Sequence, residues 1–391
     1  MINKLFFILT LILIIPDIYI YRMFIIRSTD STLLKVLYFI PSLFLLIGLI
    51  WIVCFADQRF TIDKNYCLGW FIITFMVFAL PKLMFFVCSI FDLPLKYIAK
   101  WSFMPFSWLG VIIASICLIG ILYGSIIGKT KFDVKDITFR SPNIPQSFNG
   151  YKIIQLSDIH IGSWTNNEKE LERAVQLINA QKPDLIVFTG DLVNHRATEL
   201  NGFEDILSKM KAKDGIFSIL GNHDYGPYYH WNSQREKADN LAELEQRETN
   251  MRWQLLNNEH IYLHQGNDSI ALIGVENWGI PPFNGKGDLQ KAMQGVDDGF
   301  KILLSHNPTH WEAEVLSKTD IELMLAGHTH AMQFAIGQHS PSSWVYKEWK
   351  GMYTKGKQNL YVNVGLGFIG MPFRFGAWPE ITVITLEKEN S

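Results

Sequence analysis

Five short strings carry most of the residues able to do metal or acid–base chemistry. They are Ser157-Asp158-Ile159-His160, Gly190-Asp191, Gly221-Asn222-His223-Asp224, Ser305-His306-Asn307-Pro308 and Gly327-His328-Thr329-His330. Together they offer carboxylate, imidazole and amide oxygen without thiolate, the donor mixture that hard and borderline divalent cations take. Asp-x-His alone is a common string and carries little weight. Five such strings in order read as one metal site rather than as separate turn histidines.

The elements that must position them are legible in the apolar runs just upstream. Lys152–Leu156, Leu185–Thr189, Ile216–Leu220, Ile302–Ser305 and Glu322–Ala326 read as short buried strands. Glu168–Gln181 has helical spacing at Leu171, Val175 and Ile178, and Gln234–Leu256 reads as a charged helix. Each chemical string lies at the carboxyl end of a strand, where open α/β sheets place their sites. Ile270–Val275, Leu360–Val364 and Ile381–Leu386 add further strands. The spacing predicts an α/β domain over 151–391.

The ordered set resembles the motifs of the calcineurin-like metallophosphoesterases. Ser157–His160 together with Gly365-Leu366-Gly367, Pro372–Gly376 and Pro379–Ile381 is similar to the YkuE-like and YaeI-like membrane-associated branch of that family. The resemblance covers Tyr151 to about Leu386. It implies a four-layer α/β/β/α sandwich holding two divalent metal ions, with Mn, Fe and Zn all compatible. By the same resemblance, Asp158, His160 and His330 would bind the first metal and Asn222, His306 and His328 the second. Asp191 would bridge them. His223 would act as general acid or phosphate ligand, oriented by Asp224. Asn194 stands where the branch often has Asp, which leaves its role open. The serine/threonine phosphoprotein phosphatase pattern is absent, since Asp191 is followed by Leu192-Val193-Asn194-His195 and the third string ends in Asp224.

Upstream, the composition changes. The whole chain has 391 residues, a formal charge of −2 and 49% hydrophobic residues. Residues 1–128 hold six Lys, three Arg, five Asp, no Glu and no His, and they contain all four Cys. Leu5–Phe24, Leu34–Phe55, Leu68–Phe91 and Pro105–Ile127 each approach or exceed the ~20 residues that span a bilayer. We read 1–128 as four transmembrane helices, 129–150 as a polar linker and 151–391 as the phosphoesterase domain. Asp17 and Lys82 fall inside spans and are read as snorkelling at bends made by Pro16 and Pro81 rather than as a buried pair. Seven Lys/Arg, Arg59 and Lys64 among them, stand against five on the other side. This favours a multi-pass protein of the cell membrane with a cytoplasmic catalytic domain.

These readings give a membrane-anchored phosphoesterase. A lipid-linked phosphate is the first choice of substrate, because the spans tether the site near membrane lipid. A soluble phosphodiester or nucleotide is the alternative, and a non-catalytic metal-dependent membrane scaffold is the alternative of another class. No nucleic-acid polymer is expected, because nothing supplies a concentrated basic face. Arg374 reads equally as a phosphate contact or a surface ion pair. His195, His230, His260, His264, His310 and His339 read as solvated loop histidines. Phe368, Ile369, Met371, Phe373, Phe375 and Trp378 form an apolar segment that divides between core packing and a patch beside the site.

Overall fold

The computed structural model describes residues 2–55, 62–279 and 285–389. The chain divides into two units, Met1–Ile127 with Gly370–Phe373, and Gly128–Ile369 with Arg374–Ser391.

Among the described residues, four helices are long and apolar enough to cross a membrane: Lys4–Ser28, Thr32–Val53, Tyr66–Ser89 and Pro105–Thr130. The fourth is capped from outside its own turn. Asp92 accepts hydrogen bonds from the backbone N–H of Phe106 and Ser107 at 3.1 and 2.6 Å, which satisfies helix-start donors that have no partner within the helix. Arg59, used in the charge count, lies outside the described residues. The two charges inside spans do not snorkel apart. Lys82 Nζ donates to Asp17 Oδ1 at 2.7 Å and to Ser42 Oγ at 3.0 Å, joining three spans. Each of these polar residues comes directly after a proline, at Pro16, Pro41 and Pro81. Burial in an apolar surrounding makes a paired arrangement much cheaper than two separated ions, which overturns the snorkelling expectation.

The second unit is built on two mixed sheets. Strands β1 (Asp133–Ser141), β2 (Lys152–Leu156), β3 (Leu185–Phe188), β4 (Ile216–Ser218) and β5 (Trp253–Leu255) lie in one sheet. Strands β6 (Glu259–Gln265), β7 (Asp268–Gly274), β8 (Lys301–Leu304), β9 (Leu323–Ala326), β10 (Gly351–Lys355) and β11 (Gln358–Val362) form the other. The last strand, β12 (Glu380–Lys388), returns to the first sheet. The orders are β1-β12-β2-β3-β4-β5 and β10-β11-β9-β8-β7-β6. Runs β2-β3-β4-β5 and β11-β9-β8-β7 are parallel.

Alternation along each strand makes the layers. Ile153 of β2 joins Phe217, Leu272, Leu304, Leu325 and Ile384 in the core between the sheets. Its neighbours Ile154 and Leu156 instead meet Leu171, Val175 and Ile178 of the helix Glu168–Ala180. On the far face of the second sheet, Leu303, Met324 and Val362 pack with Leu289 and Trp311. Successive side chains must point to opposite faces, so two-sided burial yields helix, sheet, sheet, helix. This is the four-layer sandwich that the resemblance implied.

Two sequence expectations change. The segment 129–150 is not simply a polar linker, because β1 occupies its middle and pairs in parallel with β12 from Asp133↔Glu380 to Ser141↔Lys388. It lies at the edge of its sheet and is mostly only partly buried, so polar residues are tolerated and the apolar pattern is weak. The helix read as Gln234–Leu256 ends at Asn250, and Arg252 at φ 65° turns the chain into β5.

Candidate metal centre

The parallel strands deliver the chemical residues to one rim. Asp158 and His160 come after β2, Asp191 after β3, and Asn222 and His223 after β4. His306 comes after β8, while His328 and His330 come after β9. The turns interlock through backbone bonds from Asp158 N to Gly190 O at 2.9 Å and from His160 N to Asp191 O at 3.1 Å. The two sheets are joined by His328 N donating to Asp158 Oδ2 at 3.0 Å.

Tight approach explains the glycines at two points. A Cβ on Gly327 would stand 1.8 Å from Ser157 Oγ and 2.4 Å from Asp158 Oδ2. Gly190 has φ +93°, and a Cβ there would meet Gly221 N at 2.5 Å. Five of the seven residues implied as ligands adopt positive φ: Asp158 at 51°, His160 at 46°, Asp191 at 62°, His328 at 74° and His330 at 50°. Such backbone is disfavoured for L residues and persists only where the surroundings over-determine it, as functional sites do.

Ligand-type atoms converge in three groups, Asp158–His160–His330, His160–Asp191–His223 and Asp191–His306–His328, each spanning no more than 4.8 Å. His330 Nε2 lies 3.1 Å from Asp158 Oδ1 and 3.0 Å from His160 Nε2. His306 Nε2 lies 3.2 Å from Asp191 Oδ2 and 3.2 Å from His328 Nδ1. The outer ring atoms are tied away from the centre. His306 Nδ1 donates to the Thr189 carbonyl at 2.7 Å, and His328 Nε2 meets the Tyr346 hydroxyl at 3.0 Å. These ties direct the lone pairs of His306 Nε2 and His328 Nδ1 inward. The shielded Asn222 Oδ1 accepts no hydrogen bond, and the shielded Asp158 Oδ1 has a His330 ring nitrogen beside it. Shielded oxygens facing inward-turned imidazoles fit divalent cations.

The electrostatics agree. Burial pushes the Asp158 carboxyl up, but the facing His330 and His306 rings overcome it and hold the group well below the ordinary range. Burial disfavours charge on His306, yet Asp191 raises it to about 9. Burial together with neighbouring His306 lowers His328 to about 4.

His223 lies beside His160 and Asp191, and the group that orients it differs from the expectation. His223 Nδ1 donates to the Asn194 carbonyl at 2.8 Å, so Asn194 and not Asp224 orients the ring. Asp224 accepts from the N–H of Gly221, Asp191, Leu192 and Val193 at 2.8–3.2 Å. It clamps two ligand turns together, because four backbone donors converge on its buried carboxylate. Glu199 similarly binds the N–H of Asn194, His195 and Arg196, fixing the Asn194 turn.

Arg374 is fully buried and so is no surface ion pair. Its guanidinium donates to the carbonyls of Gly367, Ala377 and Val364, with Nη2 3.1 Å from His330 Nδ1. His310 is also buried rather than solvated, held between Ser305 Oγ and Glu314. Phe368 and Phe373 are buried too, so the apolar segment is in part core. Sequence reasoning missed Tyr228 and Tyr346. Tyr228 accepts from Asn222 Nδ2 at 3.2 Å, and its ring lies 4.6 Å from that of His223. Tyr228 stands five residues after His223, a nearness that could have drawn attention, whereas no local signal marks Tyr346.

A sandwich of two mixed sheets with His, Asp and Asn gathered at the strand ends defines a metal-dependent phosphoesterase, and the chain belongs to the calcineurin-like phosphoesterase family. Residues 151–332 match the family model described as calcineurin-like phosphoesterase. Residues 3–129 match one described as "Probable Calcineurin-like phosphoesterase, transmembrane domain". The chain is 32% identical over 279 residues to the metallophosphoesterase YkuE of Bacillus subtilis, covering 68% of this chain and 90% of that one. It is 29% identical over 405 residues to the metallophosphoesterase Cj0846 of Campylobacter jejuni, covering 97% of both. A transmembrane protein with metallophosphoesterase domain from Danio rerio is 30% identical over 68% of this chain, which spans 60% of that relative's length. The protein is a membrane-associated metallophosphoesterase, a hydrolase of phosphate esters.

Proposed function

We propose that the centre is dinuclear, with Asp191 shared between the two metals, and that its substrate is a lipid-linked phosphate. The observation that carries the dinuclear reading is the position of Asp191, whose carboxylate belongs to one group with His160 and to another with His306 and His328. Asp158, His160 and His330 would hold one cation, and Asn222, His306 and His328 the other. Mn, Fe and Zn all suit these donors. Bound divalent cations supply Lewis-acid polarisation of the phosphoryl oxygens and bring the pKa of a water toward about 7.

The chain's own groups supply the rest. Asn194 holds His223 by Nδ1, which leaves Nε2 as the ring atom that can give a proton to the leaving oxygen. As the P–O bond to the leaving group breaks, water oxygen becomes bonded to phosphorus and gives up one proton to solvent, while the doubly protonated His223 ring gives its Nε2 proton to the departing alcohol and is left neutral with hydrogen on Nδ1. Asp224 keeps the Asp191 and Asn222 turns in register during this step. Four apolar spans support the lipid-linked reading by keeping the catalytic unit near headgroups. We propose the cytoplasmic side for that unit, from the excess of Lys and Arg on the side of the membrane that four spans assign to both termini.

Purified full-length protein should contain two metal ions per chain and hydrolyse detergent-dispersed lipid phosphates faster than nucleotides. One metal per active chain would overturn the dinuclear reading. Preference for nucleotides would overturn the lipid reading and favour the soluble-substrate alternative.

A further inference from the structure

Beyond β9 the backbone takes a path that L residues rarely adopt. His330, Ala331, Met332 and Gln333 have φ of 50°, 48°, 46° and 60°, a consecutive left-handed run without glycine. The run is pinned rather than loose. Ser340 Oγ donates to Ala331 O at 2.7 Å, Phe375 N to Gln333 O at 3.0 Å, and Ile369 N to Gln333 Oε1 at 2.6 Å. Pinned in this way, the loop keeps Met332, Phe334 and Ile336 turned to solvent in the full chain. The next turn does the same with Trp344, 86% exposed, and Val345, 64% exposed. Large apolar side chains are rarely held out by such well-bonded backbone unless they meet something.

Both arms grow from the site. The first begins at His330, and the second runs into Tyr346, whose hydroxyl touches His328. The first arm also continues into a row of rings. The Phe334 ring stacks on Phe375 at 6.0 Å, Phe375 lies 5.9 Å from Trp378, and Lys131 Nζ sits 4.4 Å over Trp378. Lys131 is the residue directly after the fourth apolar span, Pro105–Thr130. The row of rings therefore starts at the residue that follows the fourth apolar span in the sequence and ends at Phe334, four residues after His330.

We infer that Met332, Phe334, Ile336, Trp344 and Val345 form a bilayer-docking surface that seats in the headgroup region and presents membrane phosphates to the site. The occupant is the lipid interface, because the row starts at a residue one peptide bond from a span and because Trp, Phe and a neighbouring Lys suit headgroup depth. Docking stands on exposure and continuity. Its use for substrate entry rests on the lipid-linked reading above.

The test uses full-length protein in nanodiscs of phosphatidylcholine and phosphatidylglycerol. An environment-sensitive dye is placed by Trp344→Cys or, as control, by Gln246→Cys on the exposed helix Gln234–Asn250, with the four native cysteines replaced by alanine. Nitroxides on lipid acyl chains should quench the dye at 344 and leave that at 246 unchanged. Equal quenching of both by a water-soluble agent, or shielding at 344 that tracks cross-linking between two copies, would overturn docking. In parallel, Trp344→Ser with Val345→Ser should lower turnover of a bilayer-embedded phosphate at least tenfold and leave a soluble nitrophenyl phosphodiester unaffected. Equal loss on both substrates would overturn the entry role. Acyl-chain quenching at 344 in a protein that hydrolyses no lipid phosphate would support docking and overturn the substrate reading instead.

Discussion

His223 Nδ1 lies 2.8 Å from the main-chain carbonyl of Asn194, and this contact decides which ring nitrogen faces the chemistry. A carbonyl can only accept, so Nδ1 carries hydrogen and Nε2 is presented to the rim. The Asn194 turn is itself fixed by three N–H bonds to Glu199. A side chain two residues deep thus aims the acid through the backbone.

The first prediction concerns that ring. His223→Gln should keep its metal content, because the rings assigned as ligands are held by their own contacts. Turnover should fall by about 10²–10⁴, the usual contribution of a positioned acid. The loss should shrink for nitrophenolate leaving groups, which depart without a proton. Equal loss for good and poor leaving groups would leave His223 with phosphate positioning alone.

Asp191→Asn tests the shared carboxylate. It removes one negative charge where His160, His306 and His328 converge, so affinity for both cations should drop together. Elemental analysis of the purified variant should find both depleted, with activity recovered only at high added metal. A variant with full occupancy and near-normal rate would end the bridging assignment.

How much of this was legible in the sequence depends on where each determinant lies. Asp158, Asp191, His223, His306 and His330 could be placed because each comes just after a short apolar strand, and strand ends converge in parallel sheets. The Asn194 contact is made by a carbonyl, which no reading of side-chain types can single out. Tyr346 reaches His328 only after the chain loops back over the intervening residues. The strand Asp133–Ser141 was hidden by its edge position, where alternation is weakly enforced. Asp17 and Lys82 are far apart in sequence, and their pairing depends on how spans pack.

Glu248 gives a pH signature. It is fully buried on the helix Gln234–Asn250, with Ser218 Oγ as partner to one oxygen and none for the other. Burial raises its carboxyl to about 8 from an ordinary 4.5. The folded protein therefore keeps a proton that the unfolded chain gives up above about pH 4.5. Stability from this group is complete at low pH and is lost progressively as pH rises to about 8. Glu248→Gln keeps the shape and does not titrate. Its apparent melting temperature in detergent should gain on the parent's between pH 5 and 8, and parallel curves would refute the assignment.

The last prediction concerns the intramembrane pair. Lys82 Nζ is 2.7 Å from Asp17 Oδ1 and 3.0 Å from Ser42 Oγ, so one ammonium links three spans. Removing one partner leaves the other charge uncompensated in an apolar surrounding, a change that costs about 3–5 kcal/mol at buried pairs. Lys82→Met and Asp17→Leu should each lower the apparent melting temperature of the full chain in detergent. The double variant has no stranded charge, and apolar replacement of a whole buried pair is often neutral or better. It should therefore melt well above either single variant. The exchanged pair, Asp17→Lys with Lys82→Asp, should also recover part of the loss, because the attraction survives reversal. If the two single effects simply add in the double variant, the residues do not act as a pair and the three-span link is wrong.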